Sequence, residues 1–371
     1  MVFVMKEIAT LILTITCTQA FTQAPYLYFS RITPDNGLSH NKVNCILQDR
    51  RGFIWLGTED GLNRYDGQHF TVFRNQFADT STISGNIITD LLEDEDGVLW
   101  ITTSDGGLSR YDYRLPAKKQ FRQFKHIQND TTTIPVNIIN KVVEDKYGYL
   151  WLATSGAYVL RFNRKTERFE TPVRKGTRSV ASLCIDEKGI LWVGKIGGSF
   201  LKINTATLQY EMDDRYNDLY AKLPHATITA LYRDTANNIW FGSWDNVLYC
   251  YNAKTKKEEV YKKNGTAFSF PNDEVTSFAA DNAGRIWMAG RYYGLTIYDK
   301  AQQKFFNYRY NPALDGSVAD DQVNCVYIDR TGMVWLGTNK GVSIYNPLHQ
   351  PFVQTFLPKQ NKDVTIYDFY K

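Results

Sequence analysis

The side chains of this 371-residue chain that could carry acid–base, nucleophilic or metal chemistry are few and dispersed. Five histidines, His40, His69, His126, His225 and His349, lack the spacing of a metal-ligand set and read as surface or turn residues. Cys45, Cys184, Cys250 and Cys325 form no C-x-x-C pair, and three of them sit in apolar, strand-like runs. They read as buried thiols behaving as small hydrophobes, although an even number would permit disulfides in an exported protein. Neither a G-x-S-x-G nucleophile turn nor a phosphate-cradling glycine loop is present. No catalytic residue, resident metal or cofactor is expected. A different chemistry is legible in Trp244, Asp245, Arg291, Tyr292 and Tyr293. An indole and phenol rings can stack on the C–H face of a sugar, and a guanidinium can donate to its hydroxyls. Lys195, Asp105, Asp60 and Lys340 could add polar contacts. The same aromatics would equally serve to pack against neighbouring loops or a partner surface.

The elements that must position these residues come from internal repetition. A D-x-x-G-x-apolar-Trp motif opens as Asp49, Gly52 and Trp55. It returns as Asp94 with Trp100, Asp145 with Trp151, and Asp186 with Trp192. It continues as Asp234 with Trp240, where Asn237 replaces Gly, then Asp281 with Trp287 and Asp329 with Trp335. Asp precedes Trp by six residues each time, and Trp recurs every 41 to 51 residues. Each unit reads as four short strands: in the first, 43–48, 53–58, 62–65 and 70–74, punctuated by Asp60-Gly61 and Asp66-Gly67. A period of this length carrying four strands predicts an all-β fold, a seven-bladed β-propeller of four-stranded antiparallel blades. The blades are expected near 40–74, 85–124, 136–170, 179–211, 226–261, 273–310 and 321–357, within a domain spanning 26–357. The repeated Trp55, Trp100, Trp151, Trp192, Trp240, Trp287 and Trp335 read as wedges between sheets. The repeated Asp residues read as caps of the D-x-x-G turns. Two segments, 28–33 and 352–356, compete to close the ring, and the first is preferred. In such a blade the loops joining strands two and three share one face with the blade linkers. All nine candidate ligand residues fall there, while the uniform D-x-x-G turns fall opposite.

Composition agrees with a folded, all-β chain: 43% hydrophobic and 14% aromatic, including 24 Tyr, 21 Phe and 8 Trp. The 43 basic and 39 acidic residues are interspersed, so nucleic acid is not expected as a partner. Lys6 followed by the short apolar run 8–16 reads as an export signal cleaved after Ala20, within residues 1–20. Thr16 before Cys17 disfavours a lipid anchor, and the apolar run is short for a membrane span. The mature chain is expected in the periplasm. Residues 358–371 resemble the start of a further repeat, as if the chain were the first part of something longer.

The stretch Gly37-Leu38-Ser39, Val43, Asp49, Gly52-Phe53-Ile54-Trp55-Leu56-Gly57-Thr58, Gly61-Leu62, Arg64-Tyr65-Asp66 resembles the two-component-regulator propeller repeat. Blades two and seven match it closely, through Leu99-Trp100-Ile101-Thr102-Thr103 and Val334-Trp335-Leu336-Gly337-Thr338; blades four and five depart most. The resemblance implies the periplasmic sensor region of a hybrid two-component histidine kinase. In that family two propellers precede a β-sandwich, a membrane helix, a kinase and a receiver. It implies detection of an oligosaccharide, with only the first propeller present and no kinase motif in this chain. A propeller lyase or glycosidase is the enzyme rival, and would need convergent carboxylates or a Tyr/His/Arg group on one face. A scaffold that docks a second propeller, or a homodimer, is the third reading.

Overall fold

The computed structural model describes residues 25–130, 132–156, 159–173, 179–197, 200–210, 227–252, 254–271 and 274–348. The export signal, the segment 352–356, the tail 358–371, His225 and His349 lie outside the described residues.

Seven antiparallel sheets are arranged around a central channel. The first consists of Val43–Gln48, Ile54–Thr58, Gly61–Tyr65 and Phe70–Phe73, paired in sequence order from the axis outward. The second to sixth begin at Ile88, Ile139, Val180, Ile228 and Val275 and follow the same plan, and the seventh begins at Val323. In the fourth blade the described residues show three strands and a bridge, Ile203 to Tyr210, at the place of the fourth. The ring is closed by the N-terminal strand Phe29–Ile32, which pairs antiparallel with Gly341–Tyr345 and supplies the fourth strand of blade 7.

Second strands such as Ile54–Thr58 and Leu99–Thr103 are buried at every residue, because each is covered by a neighbouring blade on both faces. That is why they read as continuous apolar runs and not as alternating ones. Seven apolar clusters fill the seven gaps between blades, each built around one repeat Trp. Trp55 of blade 1, for example, packs with Ile88, Leu99, Ile101 and Tyr111 of blade 2. The two blades whose sequences depart most from the repeat keep the same arrangement. Trp192 of blade 4 packs with Ile228, Leu231 and Phe241 of blade 5, and Trp240 of blade 5 with Val275, Phe278 and Met288 of blade 6.

The motif spacing has a direct cause. The Oδ2 of each motif Asp accepts a hydrogen bond from the indole Nε1 six residues on, at 2.7 to 3.1 Å in all seven blades. The longest are Trp192 to Asp186, at 3.1 Å, and Trp240 to Asp234, at 3.0 Å. The Oδ1 of the same Asp accepts backbone N–H groups two and four residues on, as Asp145 does from Tyr147 and Tyr149. One buried carboxylate thus caps the turn and fixes the wedge. The turn requires a left-handed residue at its fourth position. Gly52 has φ 99° there, and Asn237, the one replacement, holds φ 64°, which its short amide side chain tolerates.

A second repeated device sits at the axis. Every inner strand carries a register shift at its second residue. Such a bulge re-aims a side chain. Asn44, Thr89, Asn140, Thr229, Thr276 and Asn324 each donate from this position to the backbone carbonyl that opens the next blade, at 2.5 to 3.0 Å. Blade 4 has Ala181 there, and Ser182 makes a longer bond, 3.4 Å, to Ile228 O. The result is a circle of side-chain-to-backbone bonds linking each blade to its successor. All four described cysteines are buried free thiols, and burial pushes Cys184, Cys250 and Cys325 up to about 12.

Candidate functional site

The two-to-three loops are held in register by one recurring backbone bond. The first loop residue donates its N–H to the carbonyl just before the inner strand: Ser104 to Ile87, Ser155 to Ile138, Ile196 to Ser179, Trp244 to Thr227 and Arg291 to Glu274. Trp244 of blade 5 and Arg291 of blade 6 therefore occupy the same position in adjacent blades. The corresponding position in blade 4 is Ile196, one residue beyond Lys195.

Blades 5 and 6 are joined here by Glu274. Its carboxylate belongs to a residue 6% exposed, and a single oxygen, Oε1, accepts from Trp244 Nε1 at 2.8 Å and pairs with Arg291 Nε at 2.8 Å. The indole and the guanidinium are thereby fixed against one buried anion and keep their outer surfaces open to solvent. Trp244 is 53% exposed and Tyr292 is 54% exposed. Sequence reasoning picked Trp244 and Arg291 but missed Glu274, which belongs to a blade linker. Its signal was a carboxylate immediately before the strand that begins at Val275. In blade 1 the same two positions hold Lys42 and Glu59, an ion pair with the charges exchanged and no aromatic residue in it.

The remaining candidates are spread over other blades and are engaged in loop architecture. Asp60 pairs with Arg74 at 3.0 Å, across its own blade. Asp105 accepts the backbone N–H groups of Asn86 and Ile87, anchoring the linker into blade 2. Asp245 accepts from the Ser243 hydroxyl and lies 3.5 Å from Tyr249 OH, whose pKa burial and that carboxylate push up to about 12. Lys340 lies 3.4 Å from Asp320 and over the Tyr310 ring. Tyr293 is half-buried with the Arg309 guanidinium 5.0 Å from its ring centre. Lys195 sits half-buried at the end of a second strand in blade 4. The face thus joins Trp244, Glu274 and Arg291, with Asp245, Tyr292 and Tyr293 in the same two loops, and leaves Asp60, Asp105, Lys195 and Lys340 on other blades.

The central channel, of about 510 Å³, offers a further polar surface. The third inner-strand residue contributes Asp90 and Lys141 from blades 2 and 3, joined at 2.8 Å, with Asp90 also accepting from Val142 N at 3.0 Å. Burial pushes the Lys141 ammonium down, but the Asp90 carboxylate outweighs it and holds the group above the ordinary lysine value. The stabilisation from this pair is complete below the ordinary lysine pKa and fades as pH rises through the raised folded value. Lys141→Met should therefore cost about 2 kcal/mol at neutral pH, discounted because the lysine is partly solvated. Urea titrations at neutral pH and at strongly alkaline pH check this, and a difference from wild type that is the same at both would contradict it.

Among the described residues no cluster of His, Cys, Asp and Glu suits a metal ion, and no helix is long and apolar enough to cross a membrane. The model of the two-component regulator propeller matches residues 37–60, 82–105, 133–156, 222–245, 269–292 and 317–340, six of the seven blades. Blade 4 is the one left out. A 56-residue stretch is 46% identical to histidine kinase P4 of Formosa agariphila, covering 15% of this chain and 4% of that protein. The extracellular domain of a hybrid two-component system from B. thetaiotaomicron superposes with a TM-score of 0.71 at 23% identity. That match covers 86% of this chain and 42% of the domain, so the chain spans less than half the length of these relatives. Virginiamycin B lyase from Staphylococcus aureus superposes with a TM-score of 0.63 at 10% identity, over 86% of this chain and 99% of the lyase. At such identities the structural likenesses establish the fold alone. The repeat itself is specific, and on it the chain belongs to the two-component regulator propeller family.

Proposed function

We propose that this chain is the ligand-sensing propeller of an exported sensor, and that it takes an oligosaccharide on the blade 5–blade 6 rim. The observation that carries this reading is the shared Glu274 oxygen, which orients Trp244 and Arg291 side by side with exposed outer surfaces. A rigid indole beside a fixed guanidinium suits a sugar ring, stacked on its C–H face and hydrogen-bonded at its edge. Because Glu274 already balances the Arg291 charge, the site favours neutral hydroxyls over anionic groups. The carboxylates that an enzyme on this face would use, Asp60, Asp105 and Asp245, are committed to an ion pair, backbone N–H groups and a loop hydroxyl. That favours binding over bond cleavage. Export to the periplasm is supported by the N-terminal segment and by the extracellular setting of the structural relatives.

The test is a thermal-shift screen against neutral oligosaccharides, followed by calorimetry on any hit. A ligand at about 100 times its Kd adds roughly 2.7 kcal/mol of stability, a shift of a few degrees. Trp244→Ala combined with Arg291→Ala is expected to abolish binding and, because it strips the buried Glu274 carboxylate of both these partners, to lower stability by about 1 to 3 kcal/mol, so affinity is measured well below the melting temperature. Unchanged affinity in that variant would remove the site, and release of cleaved product would revive an enzyme.

A further inference from the structure

A larger cleft, of about 690 Å³, lies on the outer edge of blade 2, away from the blade 5–blade 6 rim. Leu115, Phe121 and Ile127 give it an apolar floor, and Arg110, Lys118, Lys119, Arg122 and Lys125 surround it. None of its lining residues is acidic. Arg110 and Arg122 are directly opposed on neighbouring strands, a like-charge pair that is unfavourable unless countered. Glu167 of blade 3 supplies the counter-charge: it bonds Arg122 and lies 3.9 Å from Arg110. Two guanidinium groups thus share one carboxylate, and Arg110 Nε is buried with no hydrogen-bond partner. Asp79, Asp112 and Asp130 lie in the segments next to the lining residues; the hydroxyl and backbone N–H of Ser81 hold the Asp79 carboxyl down, with Lys118 adding to the effect.

Both walls of the cleft are built. Gln123 Nε2 donates to the carbonyls of Asp79, Thr82 and Ile83, pinning the first linker to the edge strand. On the other side His126 N donates to Asn137 Oδ1 at 2.7 Å, and its Nδ1 lies 2.8 Å from Ile134 O. A lysine on an edge strand commonly serves to block pairing with another chain. That role does not account for four cations between residues 118 and 125 with no acid among them, because three of the four lie outside the strand Phe121–Phe124.

We propose that this cleft is a second binding site, for a saccharide that carries sulfate or carboxylate groups. The cations would take the anionic groups and the apolar floor the ring faces. A bounded cleft between two pinned linkers is shaped for a short oligomer, and the charge elsewhere on the chain is too mixed to track a nucleic-acid backbone. The site is independent of the neutral-sugar rim.

The probe is a heparin-derived hexasaccharide, titrated by calorimetry against the full chain beside its desulfated counterpart, inorganic sulfate and polyphosphate. The sulfated oligomer should bind, more weakly as salt rises, while the desulfated form and inorganic sulfate bind at least about tenfold less tightly. Lys118→Glu with Lys119→Glu, both on exposed side chains, should weaken it by about tenfold or more without changing the melting temperature. The Trp244→Ala, Arg291→Ala variant should bind it as wild type does, which separates this site from the rim. Equal binding of polyphosphate, or unchanged affinity after the charge reversal, would overturn the proposal. Should the double reversal disturb folding, Lys125→Gln provides the same readout with a smaller change.

Discussion

Trp151→Ala is expected to lower the unfolding free energy by about 3 to 5 kcal/mol, the cost of emptying a fully buried aromatic site. Trp151 has no solvent exposure and fills the gap between blades 3 and 4 with Leu183, Leu191 and Val193. The more discriminating comparison is between Trp151→Phe and Trp55→Phe. Phenylalanine keeps most of the apolar volume but removes the indole donor. In blade 3 that leaves Asp145 Oδ2, in a residue 3% exposed, without the bond it makes to Trp151 Nε1 at 2.8 Å. In blade 1 the corresponding Asp49 Oδ2 also accepts from Arg51 at 2.8 Å, so it keeps a charged partner. Trp240 belongs with Trp55 in this respect, because Asp234 Oδ2 would still hold Lys300 Nζ at 2.7 Å. Loss of a buried acceptor's partner costs about 1 to 3 kcal/mol. Trp151→Phe should therefore cost more than Trp55→Phe by about 1 kcal/mol or more in urea unfolding. Equal losses would mean that the repeated Trp acts by volume alone and that the six-residue spacing has another cause.

Most of the fold is legible in the repeat. Trp55 through Trp335, spaced at blade length, announced seven sheets, and the D-x-x-G turns announced where the first strand of each ends. What stayed hidden was the reason for the fixed spacing, since a hydrogen bond between side chains six residues apart depends on the hairpin geometry between them. The axial circle was hidden for a similar reason. Asn44, Thr89, Asn140, Thr229, Thr276 and Asn324 look like ordinary polar residues in strands, and only the bulge turns each toward the next blade's carbonyl. The candidate site was half legible. Trp244 stood out as the tryptophan outside the series, and Arg291 as a charged residue in a matching loop, but their meeting at Glu274 required two blades to be placed side by side. The blade 2 cleft is not legible in the sequence, because its arginines are opposed only once strands Leu108–Tyr111 and Phe121–Phe124 have paired.

Phe29→Asp is expected to destabilise the chain by at least about 4 kcal/mol, through lost apolar burial and an unpaired charge inside the ring. Phe29 is 2% exposed and packs with Trp287, Leu295, Val318 and Leu336, while its strand pairs Phe29 with Tyr345 and Ile32 with Val342. Ser30→Asp, on the exposed side of the same strand, should change stability by no more than about 0.5 kcal/mol. The comparison tests closure and not merely burial, because the sequence offers a rival strand at 352–356 for the same place. If that rival could take over, Phe29→Asp would cost little and the melting transition would stay sharp. If closure rests on the N-terminal strand, the variant should lose cooperativity, and gel filtration should show an expanded chain or a dimer formed by strand exchange. The seam has other ties that this substitution does not touch. Asn324 Nδ2 donates to Val43 O at 3.0 Å, and Arg330 reaches the Gln48 side chain and the Asp49 and Arg50 carbonyls. These hold the inner ends of blades 7 and 1, whereas Phe29–Ile32 holds the outer end. A ring that has lost its outer tie should open from the rim inward, so proteolysis of Phe29→Asp should begin in the strand Gly341–Tyr345 and not in the inner strands.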